Sequence, residues 1–204
     1  MREIADGLWH WTAPHGRIGM DVSSYLLAAE RVIIDPMIPP EGLGALEALG
    51  APEHVLLTNR HHDRDAWRLR EAFGCVVHCV RSGLHELEGR GPVEAFDIGD
   101  ELPGGAIALK VDAICPDETA LHIPGHRALA CADGVVRWPG QDGLAFVPDA
   151  FMDDPERTKA GLRDAYGRLL ALDFDLLLLA HGEPVVGGGK AALRAFVAAG
   201  GPDD

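Results

Sequence analysis

The sequence predicts a layered α/β domain, with two β-sheets inside and helices outside. Short apolar runs alternate along the chain with segments of helical spacing. The run at 174–180 is continuously apolar, which is typical of a strand buried on both faces. The chain has 204 residues and is 47% apolar, and it shows no internal repeat or linker. We therefore expect residues 1–204 to form a single domain.

Local patterns justify each element in turn. Gly50 and Gly74 follow the first two helical segments at positions typical of helix ends, and Pro155 stands in the tolerated first turn of a third helix. The predicted strands are 7–12, 22–28, 31–35, 55–58, 75–80, strands within 94–112 joined by a turn at 103–105, 119–123, 127–132 and 174–180. The predicted helices are 41–49, 65–73, 154–172 and 190–199. Residues 134–150 are rich in Gly and Pro and are predicted to be irregular.

The composition excludes several classes of partner. The net charge is −14 and no basic run occurs, which disfavours nucleic acid and anionic membranes. No apolar run approaches the length needed to cross a bilayer, and the first residues lack the apolar region of a signal peptide, so we expect a cytoplasmic protein. The four cysteines form no C-x-x-C pair and are predicted to be reduced thiols. The expected partner is a small molecule, and a homodimer stays open.

The most informative stretch is 58–65, Thr-Asn-Arg-His-His-Asp-Arg-Asp. It follows the apolar run at 55–57, so two imidazoles and two carboxylates lie at the carboxyl end of a strand, where α/β folds place ligands. Histidine nitrogen and aspartate oxygen are common ligands of zinc and similar ions. The alternative is a polar turn in which Asp63 or Asp65 caps the following helix.

This strand, loop and helix resemble the first metal motif of the metallo-β-lactamase superfamily, Thr-His-x-His-x-Asp-His. Further segments resemble the family in its own order, and they are Asp35-Pro36 after the strand 32–34, Cys115-Pro116 and the residues to His122, the strand ending in Asp133, and the strand that delivers His181. The resemblance implies a four-layer αβ/βα sandwich of metallo-β-lactamase type, with the site along one edge.

The resemblance also implies a ligand set, which this chain keeps only in part. Metal ligands are expected at His61, Asp63, Asp133 and His181. The histidines expected at three other positions are replaced by Asn59, Arg64 and Ile114. One of the family's two metal sites would keep only His61 and Asp133. The other would keep Asp63, Asp133 and His181, and three ligands leave an open position for water.

The resemblance therefore implies a hydrolase with one divalent metal, zinc, iron or manganese, or with none. Asp63 and His61 are the expected catalytic residues, and Arg64, Asn59 and His62 are expected to contact the substrate. Replacement of a lost ligand by His62, Asp65 or His126 stays open.

A metal-free, catalytically inactive binding or scaffold module on the same fold is the alternative function. In that case Arg60 and Arg64 would form ion pairs with Asp63 and Asp133 in place of the metal. The sequence names no substrate.

Overall fold

Two β-sheets face each other in the computed structural model of the chain, which describes residues 1–199. The first sheet has seven strands in sequence order, β1 (Arg2–Ala5), β2 (Leu8–His15), β3 (Met20–Leu27), β4 (Val32–Ile34), β5 (His54–Leu56), β6 (Val76–Val80) and β7 (Val93–Phe96). The second sheet contains β8 (Glu101–Leu102), β9 (Ala106–Lys110), β10 (Thr119–Ile123), β11 (Ala128–Cys131), β12 (Leu176–Leu179) and β13 (Val185–Val186). Its order is β13-β12-β11-β10-β9-β8.

Four helices cover the outer faces of the sheets, and they are α1 (Leu43–Ala48), α2 (Ala66–Phe73), α3 (Pro155–Leu169) and α4 (Gly189–Ala199). The first two pack against the first sheet through Leu46 and Leu69. The last two pack against the second sheet through Leu162 and Phe196. The four-layer αβ/βα architecture predicted from the sequence is thereby confirmed.

Strand β12 shows why its sequence is apolar at every position. Leu177 and Leu179 belong to the core beneath α3 and α4, whereas Leu176 and Leu178 belong to the core between the two sheets. Because side chains alternate across a strand, a sheet covered on both faces needs an apolar residue at each place.

All predicted strands and helices are present, with ends within three residues of the predicted ones. Strands β1 and β13 were not predicted, because β1 is a half-exposed edge strand with polar residues and β13 has only two residues. All four cysteines are free thiols, as expected. Between residues 1 and 199, no helix combines the length and the apolar character that a bilayer crossing requires.

A buried tyrosine joins the two sheets close to the rim that carries the candidate site. The hydroxyl of Tyr25 on β3 donates to the carbonyl oxygen of Leu179 (2.8 Å) and accepts from the N–H of the same residue (2.9 Å). Tyr25 is fully buried, and burial raises the pKa of its hydroxyl far above the usual value. The hydroxyl therefore stays protonated and satisfies both backbone groups of Leu179.

Replacing Tyr25 with phenylalanine is expected to lower the free energy of unfolding by about 1–3 kcal/mol, because two buried backbone groups lose their partner. Urea unfolding followed by circular dichroism measures this change. Tyr166→Phe is the control, since the buried Tyr166 hydroxyl makes no hydrogen bond to a backbone group among residues 1–199. Equal losses in the two variants would contradict the expectation.

Candidate metal centre

One rim of the sandwich collects the chain segments that follow four strands. Asp35 follows β4, a short 3-10 turn at Arg60–Asp63 follows β5, Asp133 follows β11, and His181 follows β12. Two of these segments belong to the first sheet and two to the second. The rim is also held together by backbone, because the Ser23 N–H donates to the carbonyl oxygen of Ala180 (2.9 Å).

A chain of close polar contacts runs through the rim. The Nδ1 atom of His62 lies 2.9 Å from Asp35 Oδ2, and its Nε2 atom lies 3.1 Å from Asp133 Oδ1. The Nε2 atom of His181 lies 3.0 Å from the same Asp133 oxygen. The second oxygen of Asp133 accepts a hydrogen bond from the side-chain amide of Asn59 (2.9 Å).

Asp35 is fixed independently of His62. It is almost fully buried, and its carboxylate accepts hydrogen bonds from the N–H (2.9 Å) and the hydroxyl (2.6 Å) of Thr58. It therefore orients the His62 ring and leaves Nε2 directed at Asp133. A carboxylate that holds the distal nitrogen of a histidine is the usual support for a metal-ligating imidazole.

The local backbone decides which histidine enters the site. The side chain of Asn59 accepts from the His61 N–H (2.9 Å) and starts the 3-10 turn, which is kinked at His62 (φ −90°, ψ 17°). As a result His62 is buried, whereas the His61 side chain is 51% exposed and its nearest charged partner is Glu86, 3.9 Å away.

Arg64 ends this turn with a positive φ of 35°. Its guanidinium donates to the carbonyl oxygens of Ser23 (2.7 Å) and Asp35 (2.9 Å), with a longer contact to Ala180 (3.5 Å). These three carbonyls belong to both sheets, so the guanidinium fixes the rim. A strained residue of this kind persists only where its surroundings hold it.

The charges of the site compensate one another. Burial by itself lowers the pKa of His62, but Asp35 and Asp133 outweigh it and raise that pKa to about 9. Burial likewise opposes ionisation of Asp133, yet His62 and His181 hold its pKa well below the usual range. Without a metal the site is an imidazolium between two carboxylates, and a cation must displace a proton from His62 to bind.

The structure brings together some of the predicted site residues and not others. Asp133 and His181 meet as neighbours, and Asn59 contacts Asp133. His62, predicted as a substrate contact and left open as a replacement ligand, takes the position between them. His61 lies outside this group on the surface.

Asp63 also lies outside the group, because its carboxylate is engaged elsewhere. It accepts from the indole N–H of Trp67 (3.0 Å) and forms an ion pair with Arg90. The ion pairs predicted between Arg60 or Arg64 and these two carboxylates, Asp63 and Asp133, are not formed either. Arg64 bonds to carbonyls, and Arg60 pairs with Asp117.

Asp65 and His126, the two other residues left open as replacement ligands, also lie outside the group. Asp65 stands at the N-cap position of α2, but its carboxylate accepts from the Ile38 N–H (2.9 Å) instead of capping the helix. His126 lies 3.2 Å from Glu30. Asp35 and Thr58 were missed as site residues, although Asp35-Pro36 after a buried strand was one of the segments that carried the resemblance.

The donor set fits a single divalent cation. Among residues 1–199, His62, Asp133 and His181 form a group whose ligand atoms all lie within 4.8 Å of one another. Neighbouring ligands of one zinc ion, each about 2 Å from it, lie roughly 3 Å apart, which is close to the contacts described here. The Nδ1 atom of His181 is buried without a hydrogen-bond partner among these residues, so only its Nε2 atom is engaged in the site.

A buried carboxyl supports the turn that carries Asp133. Glu118 accepts hydrogen bonds from the N–H groups of Gly134 (2.8 Å) and Ile114 (3.0 Å). Burial is the largest influence on this group and raises the pKa of Glu118 to about 7.

The raised pKa of Glu118 predicts a loss of stability with rising pH. The folded protein keeps this proton above pH 4.5, where the unfolded chain releases it, so the free energy of unfolding falls between about pH 4.5 and 7. The expected contribution is about 3 kcal/mol at 1.36 kcal/mol per pKa unit. Glu118→Gln should flatten this part of the profile, measured as the difference from the unmodified protein in urea unfolding at each pH. Parallel profiles would contradict the expectation.

Comparisons with known proteins agree with this architecture. No protein-family model and no curated protein matches the sequence. The metallo-β-lactamase family protein TTHA1429 from Thermus thermophilus superposes with a TM-score of 0.68 at 15% identity, over 97% of this chain and 80% of that one. The metallo-β-lactamase DIM-1 superposes with a TM-score of 0.69 at 14% identity, over 97% and 94% of the two chains.

These likenesses and the two-sheet architecture establish that the chain has the metallo-β-lactamase fold. TTHA1623, solved in a di-iron-bound form, is also similar, with a TM-score of 0.58, 24% identity, and coverage of 89% of this chain and 91% of that one.

Proposed function

We propose that the protein is a metal-dependent hydrolase that holds one divalent cation, zinc, iron or manganese, through His62, Asp133 and His181. The observation that carries the proposal is the convergence of their three ligand atoms at the rim of this fold. Three protein ligands leave coordination positions for water and substrate, as in catalytic sites. A divalent cation in such a site acidifies a coordinated water and polarises a substrate carbonyl.

The surrounding residues of the chain support this role by fixing the donors. Asp35 and Thr58 hold the His62 ring through Nδ1, so Nε2 is the available donor. Asn59 engages one oxygen of Asp133, and the other oxygen faces both imidazoles. Because Asn59 stands where a histidine was expected and the Asp63 carboxylate is engaged by Trp67 and Arg90, the proposal is for one cation and not two.

A metal-free binding module is the second candidate, and one observation favours it. The His62 imidazolium already satisfies Asp35 and Asp133 as ion pairs, and these buried groups need no further cation. In that case the protein would bind a ligand at the rim without hydrolysing it.

Metal analysis separates the two functions. Protein purified without chelator is expected to contain close to one equivalent of zinc, iron or manganese, and His181→Ala is expected to lose it. A cation that binds only the folded state adds about 2.7 kcal/mol of stability at 100 times its dissociation constant, which a thermal melt detects. Hydrolysis of nitrophenyl esters should then depend on the added metal.

His85→Ala is a matched control, since it removes an exposed imidazole that is no part of the group of three ligands. It should keep the metal content and the thermal shift. Metal-free protein whose melting temperature does not respond to any of the three cations would overturn the hydrolase and leave the binding module.

A further inference from the structure

A cleft of about 510 Å³ opens directly beside His181. The β2–β3 hairpin supplies one wall through Thr12 and Met20, and the segment after Asp133 supplies the other through Arg137 and Trp138. This volume suits a small organic molecule, and it places that molecule next to one of the proposed metal ligands.

The backbone of this cleft is rigid. The N–H of Arg137 donates to the His181 carbonyl oxygen (3.1 Å), and the Ser23 hydroxyl donates to the Gly182 carbonyl oxygen (2.8 Å). Gly182 has a φ of +91°, and a Cβ built on it would lie 1.8 Å from the Arg137 carbonyl oxygen. Both walls are thus tied to the segment of His181 and Gly182, and the cleft is formed before any ligand enters.

The cleft contains a guanidinium that no carboxylate neutralises. Within residues 1–199, Arg137 has no ion pair and no side-chain hydrogen bond. Of the two acidic residues in the lining, Glu183 is paired with Arg2, and Asp21 lies more than 4.0 Å from any side-chain cation of this part of the chain. A half-buried Arg without a partner is unusual in a chain with a net charge of −14.

An unpaired imidazole and further arginines lie around the same rim. His15 stands opposite Met20 in the hairpin, and its buried Nδ1 atom has no hydrogen-bond partner among the described residues. Burial lowers the pKa of His15, and Arg64 and Arg17 lower it further, which places these cations within electrostatic range of the imidazole. Together with Arg137, these cations offset the carboxylates of Asp21 and Glu183 at the cleft.

We propose that this cleft binds a small organic anion, with a carboxylate or phosphate group on Arg137 and an apolar body against Trp138 and Met20. A guanidinium matches both oxyanions through paired N–H donors, and an indole provides a large apolar surface. The inference deepens the proposed function, because it places the reacting part of such a substrate beside His181. Binding in the cleft does not itself require the cation.

The test is binding of three defined probes, benzoate, phenyl phosphate and neutral benzyl alcohol, measured by calorimetry on the protein as purified and after chelator treatment. Either anion is expected to bind more tightly than the alcohol. Arg137→Gln is expected to weaken anion binding at least about tenfold, because the neutral amide cannot replace the charge-assisted hydrogen bonds of the guanidinium. Whichever anion binds more tightly identifies the oxyanion that the cleft prefers.

Two control variants distinguish the effect of losing the Arg137 guanidinium from the effect of a change in net charge. Arg168→Gln removes an exposed cation on α3 and should leave the affinity unchanged. Asp21→Asn removes the unpaired carboxylate of the cleft and should not weaken anion binding. Equal affinities in Arg137→Gln and Arg168→Gln, a neutral probe that binds as tightly as the anions, or no anion binding at millimolar concentration would each overturn the inference.

These measurements can refute the hydrolase and the anion-binding cleft independently of each other. Anion binding that depends on Arg137, in a protein that contains no metal as purified and whose melting temperature does not respond to the three cations, would retain the cleft and refute the hydrolase. One equivalent of metal, with no anion binding that depends on Arg137, would retain the metal centre and refute the cleft.

Discussion

Replacing His62 with alanine is expected to lower the free energy of unfolding of the metal-free protein by about 3–5 kcal/mol. The change removes the cation between Asp35 and Asp133 and leaves two carboxylates in a buried site without their shared partner. The same variant should lose the bound metal, because His62 is one of three proposed ligands. Urea unfolding in chelator and metal analysis of untreated protein measure the two effects separately.

His61→Ala is the matched control for this change. It removes the neighbouring imidazole of the same turn, but that side chain is half exposed and belongs to no buried pair. Its effect on stability should stay within about 0.5 kcal/mol, and the metal should remain. Loss of metal from His61→Ala with retention in His62→Ala would restore the ligand set implied by the family motif and refute the site described here.

Replacing Gly182 with alanine is expected to lower the free energy of unfolding by about 3–4 kcal/mol. Two penalties combine, a positive φ that is strained for any residue with a Cβ and a steric clash with the Arg137 carbonyl oxygen at 1.8 Å. Because His181 precedes this glycine, the shift should also disturb the rim. Urea unfolding with an unchanged m-value would show that stability alone has changed.

Gly187→Ala separates the two penalties. Its φ of +80° is similar, but a Cβ there would meet no atom within 4 Å. The expected cost is about 1 kcal/mol, from backbone strain alone. Similar losses at both glycines would show that the close contact between the segments around Arg137 and Gly182 is not rigid.

The fold was predictable because its signals are local and repeated. The continuous apolar run of β12 follows from burial on both faces, and Gly74 marks the end of α2 with a left-handed conformation. Asp133 and His181 were predictable as candidate site residues for the same reason, since each follows an apolar strand, whereas Asp35 was missed although it also follows one. The edge strand β1 lacks such a pattern, because its partner on one side is solvent.

The identity of the inward-facing histidine was not predictable from the loop itself. His61 and His62 are adjacent and chemically equal, and the choice between them depends on the kink at His62 and the positive φ of Arg64. That conformation is held by carbonyls of Ser23 and Ala180, which are distant in sequence. No local pattern encodes contacts of this kind.

The two halves of the sandwich each bring part of the proposed ligand set, with His62 from the first sheet and Asp133 and His181 from the second. The centre therefore exists only where the two sheets are packed together, and a cation bound there would cross-link them. Any separation of the two sheets would release the cation, so such separation would be detected as faster metal exchange.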